Sequence, residues 1–439
     1  MKSLVRRGWG VEKQSRTLLG EIEEFEKSTR GECGIAVGLG RSYGDSSLNE
    51  KGTSWSSRSN NLISIDLDSR IATVGAGATI GELETAALPL GLFPPVVPGT
   101  EFVTVGGAIA ADIHGKSHHK FGTFSRHVLE MTVMDATGKF RTFFPTGETK
   151  EFFLATAGGM GLTGVIISAK ILMIPLETSY FTVKEERAQN LEDLLELVLK
   201  FDKEFDYTVA WIDLSGLYNG RGIITGGNHA SRSELPRGLR EQPLKLKFAP
   251  RITIPNIFPS FTINFLSVRI FNFLWFRKPL SKGVVHFKKF LHPLDPVLEW
   301  NRIYGKKGFL QYQFVVPYDS IHFLRQVLSE LKRINAPSFI SVLKKFEGFD
   351  QPYLSFPRKG WTLAIDIPAG VSGLEESLSA LDQELVQIGG RVYLAKDSRL
   401  SEVNFKKMYP SYLQWLEVKK SLDPENYWQS DQGRRIGLC

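Results

Sequence analysis

The run Val105 to Gly115, VGGAIAADIHG, constrains this chain more than any other stretch. Its side chains are too small to build a core of their own, yet too apolar for an ordinary exposed loop. Such a run lets backbone pack against something flat and bulky, where larger side chains would collide. It sits inside Pro98 to His119, PGTEFVTVGGAIAADIHGKSHH. Two further glycine-rich runs flank it, GLGRSYGDSSLN (Gly38 to Asn49) and ATAGGMGLTGVI (Ala155 to Ile166). In the first, consecutive backbone N–H groups can converge on an anion, although an ordinary surface turn is the other reading. A large planar cofactor with a diphosphate would use both kinds of run together. No GxxxxGK[ST] is present, and SYGDSSLN does not continue with helical periodicity. Neither a Walker loop nor a dinucleotide-binding helix start is therefore expected.

Around these runs, short strands and helices alternate with hairpins, which predicts an α+β fold rather than a regular βαβ series. CGIAVG (33–38), LISIDL (62–67) and IATVGAGA (71–78) read as strands, and TIGELETAALPLG (79–91) as a helix capped by Thr79. HVLEMTVMDATGKFRTF (127–143) reads as a hairpin, and GLTGVIISAKILMIP (161–175) as a buried strand. A second α+β unit follows over 178–390. Its helices are predicted at 190–205, 321–334 and 374–390, with LQYQFVVP as an alternating strand and RVYLAKDSR as a final one. At 439 residues the chain is too long for one ordinary core.

The net charge of +7 favours an anionic partner: nucleic acid, an acidic membrane surface or a phosphorylated substrate. Residues 242–294 contain nine Lys or Arg and no Asp or Glu, and are rich in Phe. Prolines 255 and 259 interrupt any long helix there. The segment is read as a mobile, basic, aromatic loop lying on an anionic membrane interface, with a core segment or a single-stranded nucleic-acid surface as alternatives. The N-terminus lacks an apolar h-region, and no run of about 18 apolar residues occurs, so no signal peptide or spanning helix is expected. A cytoplasmic protein, or one peripheral on a membrane surface, is the implied location. Three of the eight histidines stand together, at 114, 118 and 119. The i,i+4 spacing of His114 and His118 suits a helical zinc pair, but Gly115 argues against a helix and no HExxH is present. No metal is expected.

GRSYGD, VPGTxxVTVGGAIAADIHGKSHH, TAGGMGLTGVI, LQYQF, GGRVYLAKDSR and SDQGRR, in that order, resemble the flavin-dependent oxidases of the vanillyl-alcohol-oxidase type, with a PCMH-type FAD-binding fold. Within that superfamily the resemblance is to the branch that oxidises a polyprenylphosphoryl-β-D-ribose, and it covers almost the whole chain. It implies an FAD domain over 1–177 and 391–439, with a substrate domain over 178–390 between. FAD would be non-covalent, because GLGRSYGD lacks the histidine that covalent members often carry there. The resemblance assigns the diphosphate to Ala36, Val37, Gly38, Leu39, Gly40, Arg41, Ser42, Tyr43, Gly44, Asp45 and Ser46. Gly99, Thr104, Val105, Gly106, Gly107, Ala111, Asp112, Ile113 and His114 would line the ribityl chain and isoalloxazine, with Ile166 and Tyr393.

The implied reaction is hydride transfer from C2′ of the lipid-linked ribose to flavin N5. It would be the first half of an epimerisation that a separate NAD(P)H-dependent short-chain reductase completes. A secondary alcohol needs a base for its proton and positive charge for the developing alkoxide. Lys396 is the main candidate, with Tyr393 and His114 beside it; a strand lysine paired with Asp397 is the bland alternative. Gln311, Gln313, Lys344, Lys116, Thr362 and Trp211 would face the substrate. Mycobacterial members have Asn-x-Cys where this chain has Thr362 and Ala364, so cysteine-directed covalent inhibitors should fail here. The competing enzyme reading is an FAD-dependent oxidase of a soluble aldonolactone or sugar alcohol. A zinc or nucleic-acid-binding protein is the competing class.

Overall fold

The computed structural model describes residues 2–27, 33–215, 219–247 and 250–439. The first sheet holds β1 (Lys2–Arg7), β2 (Gln14–Glu21), β3 (Gly34–Val37) and β4 (Thr53–Ser56), in the order β1-β2-β4-β3. The second holds β5 (Ile63–Asp66), β6 (Ile71–Gly75), β7 (Val128–Met134), β8 (Phe140–Phe143) and β9 (Val165–Leu172), ordered β5-β6-β9-β7-β8. Between β6 and β7 come α1 (Ile80–Ala87) and the short α2 (Val105–Ala110). Thr79 caps α1 through a capping box, its hydroxyl accepting from the Glu82 N–H while the Glu82 carboxylate accepts from its own N–H.

The small-residue run explains itself in α2. The N–H groups of Val105 and Gly106 donate to the carbonyls of Ala78 and Ala76, at 2.8 and 2.9 Å. A Cβ on Gly106 would press on Ala76. One side of the run packs on the end of β6, and the other side faces a cavity.

The third sheet has eight strands: β10 (Tyr180–Ala188), β11 (Tyr207–Ile212), β12 (Gly222–His229), β13 (Lys282–His286), β14 (Phe309–Val316), β15 (Ser341–Phe346), β16 (Gly360–Pro368) and β17 (Arg391–Val392). Their order is β13-β10-β12-β11-β15-β16-β14-β17. Helices α3 (Leu191–Glu204), α4 (Phe265–Arg277), α5 (Ile321–Arg333) and α6 (Leu374–Gln387) complete this half. Strand residues alternate faces. Ala210, Ile212, Ile224, Leu343, Ile365, Tyr312 and Phe314 point to the core shared with α3, α5 and α6. The intervening residues point towards the glycine-rich half.

Four expectations change. RVYLAKDSR is a strand only at Arg391–Val392, and Leu394 to Lys396 form a turn. That strand pairs with β14, so the expected domain boundary at 391 falls inside the large sheet. β14 does not alternate between core and solvent, because neighbours on both sides bury every residue of it. The 242–294 segment is not a loop: beyond its prolines it builds α4, and then β13 joins the edge of the large sheet. Its residues 248 and 249 lie outside the described ones.

A candidate flavin and substrate site

A cavity of about 1150 Å³ lies between the glycine-rich half and the open face of the large sheet. All three glycine-rich runs line it, together with alternate residues of the third sheet and the 393–396 turn. Of the residues expected to hold a cofactor, Ala36 to Tyr43, Ser46, Gly99, Thr104, Gly106, Gly107, Ala111, Ile113, His114, Ile166 and Tyr393 reach the lining. Gly44, Asp45, Val105 and Asp112 stand behind it. Gly44 is where two backbones cross, since a Cβ would overlap the Asp397 carbonyl. Asp45 is ion-paired to Arg435 at 2.7 Å. Val105 is core. Asp112 accepts from the Ser125 N–H and the Ser355 hydroxyl, fixing the loop rather than facing the cavity.

The first run leaves backbone donors free. Among the described residues the N–H groups of Gly40, Arg41 and Ser42 have no protein acceptor, while that of Tyr43 donates to Ala395 O at 3.0 Å. Gly40 has φ +66°, which favours glycine. A Cβ on Gly38 would overlap Thr104 Oγ1, so backbone from the first two runs meets at one wall. The N-terminal Trp9 closes the outside, with the Arg41 guanidinium 3.9 Å from its ring centre. These free donors and this small-residue wall fit a dinucleotide with a flat ring system.

The opposite wall is the polar end of the large sheet. His114 is buried, its Nε2 3.1 Å from Gln313 Nε2 and its ring 5.2 Å from that of Tyr393. Burial, with the charges of Lys344, His118 and Lys396, keeps this imidazole neutral, well below its usual pKa. Among the described residues its Nδ1 has no hydrogen-bond partner. Tyr393 gives its hydroxyl to Ala111 O at 3.0 Å and stacks on Phe356, so it acts as a wall of the site rather than a proton carrier. Lys396 lines the cavity, half-buried, with its Nζ 3.6 Å from the Tyr43 ring centre. Burial pulls its pKa down to about 7; Asp366 opposes that shift and Lys344 adds to it. Lys396 does not pair with Asp397, which is held by Arg435 at 2.9 Å.

Asp366 is the residue that the sequence reading missed. It lies fully buried on β16 and accepts from Gln311 Nε2, and burial raises its pKa to about 7. A lone carboxylate inside the apolar strand WTLAIDIP was the available signal. Lys344, on β15, lines the cavity, and burial lowers its pKa to about 8. Among the described residues, no hydrogen bond or ion pair to a protein group engages its ammonium. Lys116 also lines the cavity, but its Nζ is drawn to the carbonyls of Phe290 and Leu291 instead of pointing freely to a ligand. Burial and the Lys344 charge lower its pKa to about 7. Trp211 lines the cavity. Thr362 sits behind it, 3.5 Å from Gln313 Nε2.

The histidine cluster separates into different roles. His118 begins a short helix, His118–Phe121, and packs on Phe346 with neither ring nitrogen bonded. Burial holds its pKa down at about 3. His119 Nε2 lies 2.8 Å from Phe205 O and ties the loop to the large sheet. Among the described residues, no three His, Cys, Asp or Glu side chains are placed to share a metal.

This geometry defines an FAD-binding oxidoreductase. Residues 28–143 match the model of the family described as "FAD binding domain". Over 410 residues the chain is 40% identical to decaprenylphosphoryl-beta-D-ribose oxidase of Mycolicibacterium smegmatis, covering 92% of this chain and 89% of that one. It is 33% identical to an uncharacterized protein of Streptomyces coelicolor over 370 residues, 82% of this chain and all of that one. A D-lactate dehydrogenase of Archaeoglobus fulgidus is 31% identical over 157 residues, about a third of each chain (34% and 35%). The chain belongs to the family of FAD-dependent oxidases that includes the mycobacterial decaprenylphosphoryl-β-D-ribose oxidase.

Proposed function

We propose that the protein oxidises the 2′-hydroxyl of a polyprenylphosphoryl-β-D-ribose to the 2′-keto sugar. The observation that carries this reading is Lys344: a half-buried lysine lining the cavity, with no anion among the described residues to neutralise it, between the amides of Gln311 and Gln313 and an apolar sheet face. FAD, held non-covalently, supplies the hydride acceptor. Gln311 and Gln313 hydrogen-bond sugar hydroxyls, and Lys344 holds the phosphate, with Lys116 behind it. Lys396 Nζ, as the neutral amine that its lowered pKa makes available, takes the proton of the reacting hydroxyl. Asp366 lies close enough to feel that charge and stabilises the ammonium that forms. His114, neutral, orients Gln313. Residues 1–177 and the chain after 391 hold the cofactor, and the sheet between them holds the substrate.

Membrane docking belongs to the same reading. The outer side of α4 exposes Leu266, Ile270 and Leu274, more than half exposed each, among Arg269, Arg277 and Lys278. No helix among the described residues is long and apolar enough to cross a membrane. Such a face suits an anionic bilayer surface that holds the lipid tail. The keto product calls for a reductase that delivers hydride to the other face of C2′, the NAD(P)H-dependent partner. Mass spectrometry of the sugar after turnover tests the proposal. Loss of two hydrogens with the carbonyl at C2′ is expected, and oxidation elsewhere on the sugar, or none, would overturn it. Replacing Leu266, Ile270 and Leu274 together by Ser should abolish sedimentation with anionic liposomes; unchanged sedimentation would remove the membrane face.

A further inference from the structure

The open face of the third sheet carries a row of side chains perpendicular to its strands. By register, Gln313 of β14 stands opposite Ala364, Ala364 opposite Val342, Val342 opposite Trp211, and Trp211 opposite Ile223 of β12. A second row, Val209, Thr225 and Glu185, carries the line to β10. All of these residues line the one cavity. From β14 to β10 there are five inter-strand steps of about 4.8 Å, roughly 24 Å of path.

The chemistry along this path is ordered. At one end stand the sugar-binding amides with Asp366 and Lys396. Next comes Lys344, two residues along β15 from Val342 and so on the same face, with Lys116 fixed nearby by the Thr208 N–H donating to its carbonyl at 2.9 Å. Beyond these cations the lining is mainly apolar, with Val342, Ile340, Trp211, Val209, Ile223 and Val285, and Thr225, Ser281 and Glu185 among them. The far end reaches Trp275 of α4, which lines the cavity and is 41% exposed, beside the Glu185–Lys278 ion pair at 2.7 Å. Trp275 thus joins the interior path to the helix whose outer side is apolar. Hydroxyl-binding groups, then cations, then an apolar run, then an apolar surface match the order sugar, phosphate, hydrocarbon, bilayer.

We infer that this cross-strand row is the binding trough for the hydrocarbon tail of the lipid-linked substrate, and that it holds the first few isoprene units while the rest stay in the membrane. The inference rests on the proposed substrate class. Past Lys344 on β15, three of the five steps remain for hydrocarbon, roughly 14 Å. An isoprene unit spans four bonds, about 5 Å by analogy with the three-bond 3.8 Å of a peptide step, so the trough accommodates about three units. Burial should then strengthen binding by about tenfold per unit, a discounted share of full transfer, until the trough is filled.

The test titrates holoenzyme with prenyl monophosphates of two to eight units, without sugar and below their aggregation concentrations, reading tryptophan fluorescence. Kd should fall about tenfold per unit and level off near three units. Thr225→Trp, which fills the far end, should bring the plateau about one unit earlier and leave the Kd of the two-unit phosphate unchanged. The milder Ile223→Ala should weaken only the longer chains and guards against misfolding of the first variant. A Kd independent of chain length, or variants that shift all lengths alike, would overturn the trough. If length dependence holds while the ribose-bearing lipid is not oxidised, the trough stands and the sugar assignment falls.

Discussion

The ammonium nitrogen of Lys396 lies 3.6 Å above the ring of Tyr43, so the glycine-rich loop and the distant 393–396 turn meet at one point. The Tyr43 N–H to Ala395 O bond, at 3.0 Å, locks the same junction through backbone. Lys396 is the base in this account. Lys396→Ala should retain FAD and lower flavin reduction by about 10²–10⁴-fold. Lys396→Arg should not rescue it, because a guanidinium cannot shed its proton at working pH. Stopped-flow reduction of both variants checks this.

The pH profile follows from three buried groups. Lys396 must be neutral to accept a proton, and its pKa is lowered to about 7, so the reduction rate should rise with pH through that region. Lys344 must stay charged to hold the phosphate, and its pKa is lowered to about 8, so KM should climb above that pH. Asp366 raises the Lys396 pKa by its charge. Asp366→Asn should therefore move the acid limb to lower pH while the alkaline limb stays. Steady-state kcat and KM against pH measure each limb separately.

Lys344→Met removes the free ammonium without adding a polar group. KM for the lipid-linked sugar should rise by about 10- to 100-fold, as for losing a charge-assisted hydrogen bond of about 1.5–3 kcal/mol, while FAD content stays unchanged.

Gly44 marks the crossing of the anion loop and the Lys396 turn. Gly44→Ala places a methyl group where the Asp397 carbonyl stands, so one of the two backbones must shift. Both FAD occupancy and kcat should fall together, which absorbance of the purified protein and initial rates will show.

The 242–294 segment is fastened to the glycine-rich half by the buried His292–Glu84 pair, 2.8 Å apart. Burial alone would lower the His292 pKa, but the charge and hydrogen bond of Glu84 outweigh it and the net shift is upward. A histidine raised in the fold adds stability that is full below its unfolded pKa and lost as pH rises through the folded one. Denaturant midpoints should therefore fall as pH rises above the ordinary histidine pKa of about 6.5. His292→Ala should flatten that slope and cost about 3–5 kcal/mol, because Glu84 is left buried and unpaired.

Much of this molecule was legible in its chain. Glycine-rich runs, Thr79 with Glu82, and the turn after Met134 fix local backbone through nearby residues alone, so they could be read directly. So could the wall from Gly38 to His114, because few partners other than a flat ligand tolerate so many small residues. What escaped were features set by distant contacts. Asp366 reads as strand filler until β14 places Gln311 against it. Lys116 reads as a free cation until the Phe290 and Leu291 carbonyls draw it aside. The basic 242–294 segment reads as a loop because its prolines are visible, whereas the edge of β10 that recruits β13 is not.

Anaerobic mixing of the purified holoenzyme with single substrates tests the central claim most directly. Polyprenylphosphoryl-β-D-ribose should bleach the flavin absorbance fully, while aldonolactones and alditols leave it unchanged. Bleaching by a soluble lactone or alditol with none by the lipid-linked ribose, or a protein that carries no flavin colour, would contradict the account.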